Sequence, residues 1–378
     1  MRKGFHARTS TRLLLTLVTA APALALTTPA QATETATTYS YVDLGVLGTN
    51  RYGVAISVGV GLNNARQAVG HSTTTGPARH GYLWSNGMLR DLAPIDPDPF
   101  AGSSANGIND AGDVVGHTSV TSTEPSHAFV YRNGTMTDLG TGHGPGSVSS
   151  ANDINTAGQV VGYRAATVTA PDRATLWENG TLRDLGALDP GTPDAADRES
   201  VAHAVNERGQ VVGSAMPASG APPHGFLWEN GAMRDLGTLG GNGEATQAHD
   251  INDLGQVVGV SPTAQERLHA FLWDQGTMRD LGALGGKQNS SHAYGVNDSG
   301  QVVGLSGLTS TTPARAFLWE QGRMTDLNTR VTGLPADVLL SSARAISDDG
   351  TILGTTCDFN CPADKRAPAR AYLLVPHS

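Results

Sequence analysis

Apolar runs of about five residues recur along this chain, each stopped by a short polar turn. The stretch from Ala248 to Gly286 shows the pattern cleanly. Its runs are Ala248 to Asn252, Gln256 to Val260, His269 to Trp273 and Met278 to Gly282. Runs of this length suit strands and are too short for typical helices. Asp253-Leu254-Gly255 parts the first two runs, and Gln275-Gly276 parts the last two. Asx side chains bond the nearby backbone and Gly accepts positive φ, so both breaks predict tight hairpins. Two hairpins and a longer connection predict one four-stranded antiparallel sheet per unit.

The unit recurs. Its first turn appears at Asn109, Asn155, Asn206, Asn252 and Asn297, with degenerate copies at Asn63 and Ser347. Its aromatic run passes through Tyr82, Phe129, Phe226, Phe271, Phe317 and Tyr372, with Thr175 in the remaining copy. Its Asp-Leu pair begins at Asp43, Asp91, Asp138, Asp184, Asp235, Asp280 and Asp326. Seven four-stranded units at a period of about 45 to 55 residues predict propeller blades. A lone fourth run, Tyr41 to Gly45, opens the repeat region, and the region ends on runs one to three, Ala343 to Leu374. Together the two fragments make one blade. The expectation is an all-β, seven-bladed propeller whose N-terminal strand closes the ring, with run one nearest the axis and run four outermost.

His269 to Trp273, together with the Ile-Asn-Asp-x-Gly-Gln-Val-Val-Gly pattern, resembles the HAF-repeat family of bacterial extracellular proteins. The resemblance covers roughly Tyr41 to Pro376. It implies an extracellular protein and transfers no catalytic residues. Arg173, Arg315 and Arg370 stand where other copies carry His, which argues against that His as an obligatory ligand.

Residues 1–32 have the form of a secretory signal peptide. Arg2, Lys3, Arg8 and Arg12 precede an apolar stretch from Leu13 to Leu26, and Ala30-Gln31-Ala32 is a small-x-small cleavage site. Residues 33–40 are expected to be a short disordered lead-in, and residues 41–376 a single propeller domain. No later segment is long and apolar enough for a membrane span, so no membrane insertion is expected. Only Lys3, Lys287 and Lys365 are lysines, and the formal charge of −9 becomes about −13 without the leader. Such a surface argues against nucleic acid, whose binding relies on basic residues neutralising phosphates.

Cys357 and Cys361 lie close together in the last copy. In an exported chain a local disulfide is the default, with a metal site as the alternative reading.

Copies also control for one another, because a residue present in every unit is most simply scaffold. That reading covers the Asp-Leu pairs and the Trp at 84, 177, 228, 273 and 319, which are expected to pack between blades. The long connections, runs two to three and blade to blade, share one end of the ring. Variable loops on one face of a repeat scaffold are where binding resides. There the second residue of run one varies: Val60, Asn106, Asn152, His203, His249, Tyr294, Arg344. Asn106, Asn152, His203, His249, Tyr294 and Arg344 are the candidate ligand-binding residues of the channel mouth. A polar pocket for a sugar or peptide and a merely hydrated channel entrance both fit them. No catalytic motif, metal loop or cofactor signature is present. On the loop face Asp153, Glu199, Glu244 and Asp250 break the repeat and are the carboxylates a glycosidase would draw on.

The expected function is a secreted, non-enzymatic binding or adhesion module facing an extracellular glycan, cell-wall polymer or protein. A polysaccharide-acting hydrolase or lyase and a structural matrix protein are the alternatives. The sequence does not set the oligomeric state.

Overall fold

A computed structural model describes residues 37–377 apart from 122–123, 219, 242, 308–312 and 357–367. The expected signal peptide, residues 1–32, and the expected disulfide between Cys357 and Cys361 lie outside the described residues.

Seven antiparallel sheets form the expected propeller, six of four strands and one of five. Blade 5 is typical: Gln247–Ile251, Val257–Pro262, Leu268–Asp274 and Thr277–Asp280, paired in that order. Blades 1 to 6 span 57–92, 103–138, 148–184, 200–235, 247–280 and 291–326. Blade 7 joins the two ends of the chain. Its strands Leu340–Ile346, Ile352–Thr356 and Ala371–Pro376 are completed by Tyr39–Asp43, with Tyr39 opposite Pro376 and Asp43 opposite Tyr372.

The closing strand begins at Tyr39, so Tyr39 and Ser40 belong to the propeller and not to a disordered lead-in. The reason lies in the insertion of the last copy. Residues Leu327–Thr329 make one 3-10 turn, whose N-terminus is held by Asp326 accepting from the Asn328 N–H at 2.9 Å. Val331–Thr332 then runs parallel to the closing strand, and Arg330 O accepts the Tyr39 N–H at 2.9 Å. Tyr39 is thereby buried on both edges, at 1% exposure.

The core lies between blades. Each apolar cluster mixes neighbouring sheets, as where Val258 and Ala270 of blade 5 meet Ala293, Phe317 and Trp319 of blade 6. The repeated Trp do pack there. Trp228, Trp273 and Trp319 are buried under Arg183, Arg234 and Arg279 of the preceding blade, 4.9, 5.3 and 5.1 Å from the ring centroids.

The repeated polar residues clamp the scaffold. The third-strand His and the fourth-strand Asp pair within a blade, as in His80–Asp91, His127–Asp138, His224–Asp235 and His269–Asp280 at 2.7–2.9 Å. Arg173–Asp184, Arg315–Asp326 and Arg370–Asp43 replace them in the remaining blades. The position therefore calls for an N–H donor to the Asp, which His and Arg both provide.

Candidate functional site

Every first strand carries a β-bulge, and the bulge builds the channel. Register shifts fall at Gly59/Gly61, Ala105/Gly107, Ala151/Asp153, Ala202/Ala204, Ala248/Asp250, Ala293/Gly295 and Ala343/Ala345. The residues passed over are Val60, Asn106, Asn152, His203, His249, Tyr294 and Arg344. A bulge re-aims one side chain. A second-strand glycine lets the first strand lie close just ahead of it. At Gly70, Gly116, Gly162, Gly213, Gly259, Gly304 and Gly354 a Cβ would stand 1.9–2.3 Å from a first-strand carbonyl oxygen.

The bulge residues are tied from blade to blade. Asn106 Nδ2 donates to Ala151 O at 2.9 Å, and Asn152 Nδ2 to Ala202 O at 2.8 Å. His203 Nδ1 lies 2.7 Å from Ala248 O, and His249 Nδ1 lies 2.7 Å from Ala293 O. A carbonyl only accepts, so each imidazole carries its proton on Nδ1 and keeps Nε2 as an acceptor. Burial pushes the His203 pKa down. It pushes His249 down to about 3, helped by the charges of His203, His292 and Arg344 and against the bond to Ala293. Both rings are therefore neutral at physiological pH.

Four of the six candidates form one arc. The His203 and His249 rings are 5.9 Å apart, His249 stacks on Tyr294 at 5.2 Å, and Arg344 Cζ lies 4.1 Å from the Tyr294 centroid. Toward the loop face His292 stacks on Tyr294 at 6.2 Å. Asn106 and Asn152 continue the ring with Ser104 and Ser150, as Ser104 Oγ donates to Asn106 Oδ1 at 3.1 Å.

Asp153 and Asp250 do not belong to the loop face. They stand one residue past the bulge, inside the ring, where the other blades carry Gly or Ala. Each reaches the next blade: Asp153 Oδ2 accepts from Val205 N and Asp250 Oδ2 from Val296 N, both at 2.9 Å. Burial raises Asp153 to about 7 and Asp250 to about 6 despite those N–H donors. Their hydrogen bonds make them interblade ties, and Glu199 and Glu244 lie on separate loops away from them.

The opposite mouth is a second set of rings. Asn63, Asn109, Asn155, Asn206, Asn252 and Asn297 each donate Nδ2 to the carbonyl of the equivalent residue in the next blade at 3.0–3.1 Å. Outside them Glu207, Asp253, Asp298 and Asp348 each accept a backbone N–H from the preceding blade. These residues and Asp153 line a cavity of roughly 190 Å³.

His71 and His117, half-buried on the loop face, were not legible as site residues. They follow the second-strand glycine, where other copies have Tyr163, Ser214, Val260, Leu305 and Thr355. Two polar rings in adjacent copies of a position that is elsewhere partly apolar were the available signal.

No protein-family model matches the chain, and no curated protein matches it. Solved structures resemble its fold. TolB from Acinetobacter baumannii is 12% identical with a TM-score of 0.43, over 87% of this chain and 65% of TolB. A Mycobacterium tuberculosis puromycin-hydrolyzing peptidase is 10% identical with a TM-score of 0.53, over 84% of this chain and 52% of the peptidase. An Aleuria aurantia lectin is 12% identical with a TM-score of 0.39, over 79% of this chain and 97% of the lectin. The chain thus spans about two thirds of TolB and half of the peptidase. At these identities the likeness is one of fold, and the fold is a seven-bladed β-propeller.

Proposed function

We propose that the protein is a secreted binding module, non-enzymatic, whose loop face engages an extracellular glycan, cell-wall polymer or protein. The observation that carries this reading is the arc His203–His249–Tyr294–Arg344. It sets two neutral imidazoles, a phenol and a guanidinium side by side on a rigid ring. Aromatic faces flanked by a few fixed polar groups suit small polar ligands. Rigid strands hold these groups, so little ordering entropy opposes binding. The leader-like residues 1–32 and the resemblance to HAF-repeat extracellular proteins support secretion. The N-terminal residue of the exported protein, expected to be Thr33, tests the leader.

Binding is tested by co-sedimentation of the purified protein with bacterial cell wall, chitin, cellulose and acidic polysaccharides, assaying the supernatant for released sugar. Retention without release supports a module, whereas release of sugar overturns the non-enzymatic reading. The informative variant is His203→Asn with His249→Asn. Asn at this position makes the same interblade bond in blades 2 and 3, so the fold is kept while both imidazoles are lost. Unchanged retention would remove the arc from the site.

A further inference from the structure

A second recess opens on the loop face between blades 1 and 2, and its chemistry runs against the acidic balance of the chain. It encloses about 450 Å³ and is lined by His71, Arg79, Phe100, Ser104, His117 and Ser119 among others, with no Asp or Glu. The chain carries 34 acidic residues against 25 Lys and Arg, so a carboxylate-free recess holding an Arg and two His is a local reversal of sign. Cavities of roughly 300–1,000 Å³ are the usual size for small-ligand sites.

Strand pairing explains why these residues meet. Arg79 stands opposite Thr73 and His71 opposite Gly81, so Arg79 and His71 are diagonal neighbours on one face of blade 1. His117 stands opposite Ser104 in blade 2. Phe100 comes from the crossing between the blades, on a turn held by its own N–H donating to Asp98 Oδ1 at 2.8 Å and by Ala101 N–H donating to Asp98 O at 2.9 Å. The ring is nonetheless 73% exposed. Water-facing phenyl on a pinned turn is a ready stacking surface.

The cation is available. Among the described residues Arg79 forms no ion pair with a carboxylate. His71 is neutral at physiological pH, pushed down to about 4 by burial and then by the charges of Arg79 and His117. The fixed charge is therefore that of one guanidinium, beside neutral imidazoles and hydroxyls that can donate or accept.

We infer that this recess binds a uronic-acid residue of an acidic glycan, its carboxylate on the Arg79 guanidinium, its hydroxyls on His71, His117, Ser104 and Ser119, and its ring against Phe100. A guanidinium holds a carboxylate through paired N–H bonds. The single charge, the several neutral hydrogen-bonding groups and the aromatic face match a sugar acid better than a bare anion. Ser104 also belongs to the channel mouth, so the recess extends the same surface. The inference rests on the glycan-binding reading and narrows it to one ligand class.

The test is calorimetric titration of the purified protein with galacturonate, glucuronate and mannuronate trimers, each beside its methyl ester, and with benzoate and inorganic phosphate. At least one uronate trimer should bind, and its uncharged ester should bind about tenfold more weakly or worse, as expected when a hydrogen bond to a charged group is lost. Arg79→Gln should abolish that difference, and Phe100→Ala should weaken acid and ester alike. Both side chains are exposed, so an unchanged melting temperature separates loss of contact from loss of fold. Equal binding of acid and ester, unchanged affinity in Arg79→Gln, or benzoate or phosphate binding as tightly as the trimers would each overturn the inference. So would failure of all three uronates. Retention on a neutral polysaccharide in co-sedimentation would then show that the module reading stands without it.

Discussion

Gly304→Ala isolates the feature that shapes the channel. The second-strand glycine is not left-handed here, so no backbone penalty confuses the result. A Cβ at Gly304 would stand 1.9 Å from His292 O and 2.8 Å from both Cε1 and Cζ of Phe317. Real Cβ contacts do not fall below about 3.0 Å, so the His292 carbonyl, just ahead of the bulge, must retreat by roughly an ångström, or the phenyl must leave its place. Neither yields cheaply, since one obstacle is backbone and the other a ring with 0% exposure. Overpacking of a close-packed core costs about 1–3 kcal/mol and occasionally more, and this site belongs at the upper end. At about 2–4 °C per kcal/mol for a sizeable domain, the melting temperature should fall by about 6–12 °C in a thermal melt. The control is Gly134→Ala in a hairpin turn, where φ is +85° and nothing lies within 4 Å of the added carbon. That change carries only the left-handed backbone penalty, about 1–2 kcal/mol. If Gly304→Ala melts no lower than Gly134→Ala, the bulge is soft and cannot position Tyr294.

Three more outcomes are expected. Bonding to Asp280 raises the His269 pKa against burial, so the pair's contribution is full below the unfolded value of about 6.5 and lost as pH rises through the folded one; His269→Ala should lower the melting temperature more at pH 6 than at pH 9, and equal losses would refute this. Asn206→Ala strands the N–H groups of Arg208 and Gln210 and leaves Asn252 O with only its Gly255 N–H donor, so urea unfolding should show a loss of about 2–3 kcal/mol. Asp153 has its pKa raised by burial to about 7, so its contribution is present below about 4 and lost as pH rises through 7; Asp153→Asn should lack that loss, and its melting temperature relative to the parent should climb between pH 4 and pH 8.

Blade number, strand order and ring closure were legible in the sequence because turn chemistry and apolar runs are local signals, repeated seven times. The bulge was not, because the carbonyl that excludes a Cβ at Gly304 belongs to a different strand. The channel residues were picked out as the variable position in a constant frame. What the frame hid is that His203 and Asn152 perform the same interblade task with different side chains. The clamp role of Asp280 was half visible, since its recurrence in every unit marked it as scaffold, while the strand pairing that sets it against His269 is not a local signal. Asp153 and Asp250 were assigned to the wrong end because a strand with an extra residue no longer alternates its faces. Arg79 opens a third strand and Phe100 lies in a blade-to-blade connection, both at positions without repeat character, and only three-dimensional proximity brings them together with His71 and His117.

Ring closure has a consequence for the order in which the chain folds. Blades 1 to 6 are each continuous in sequence and can pair their strands as soon as they are made. Blade 7 must wait, because Tyr39 finds Pro376 only when nearly the whole chain exists. Joining ends this far apart adds a loop-closure entropy that grows only logarithmically, on the order of 5 kcal/mol. The delay, more than the free energy, is what matters. Until the N-terminal strand docks, the edges of Ala371–Pro376 and Val331–Thr332 lack their partner and are open templates for another copy's N-terminal strand. Exchange of that strand between copies is thus the misassembly this topology invites, and dilution during refolding is the condition that favours the closed monomer.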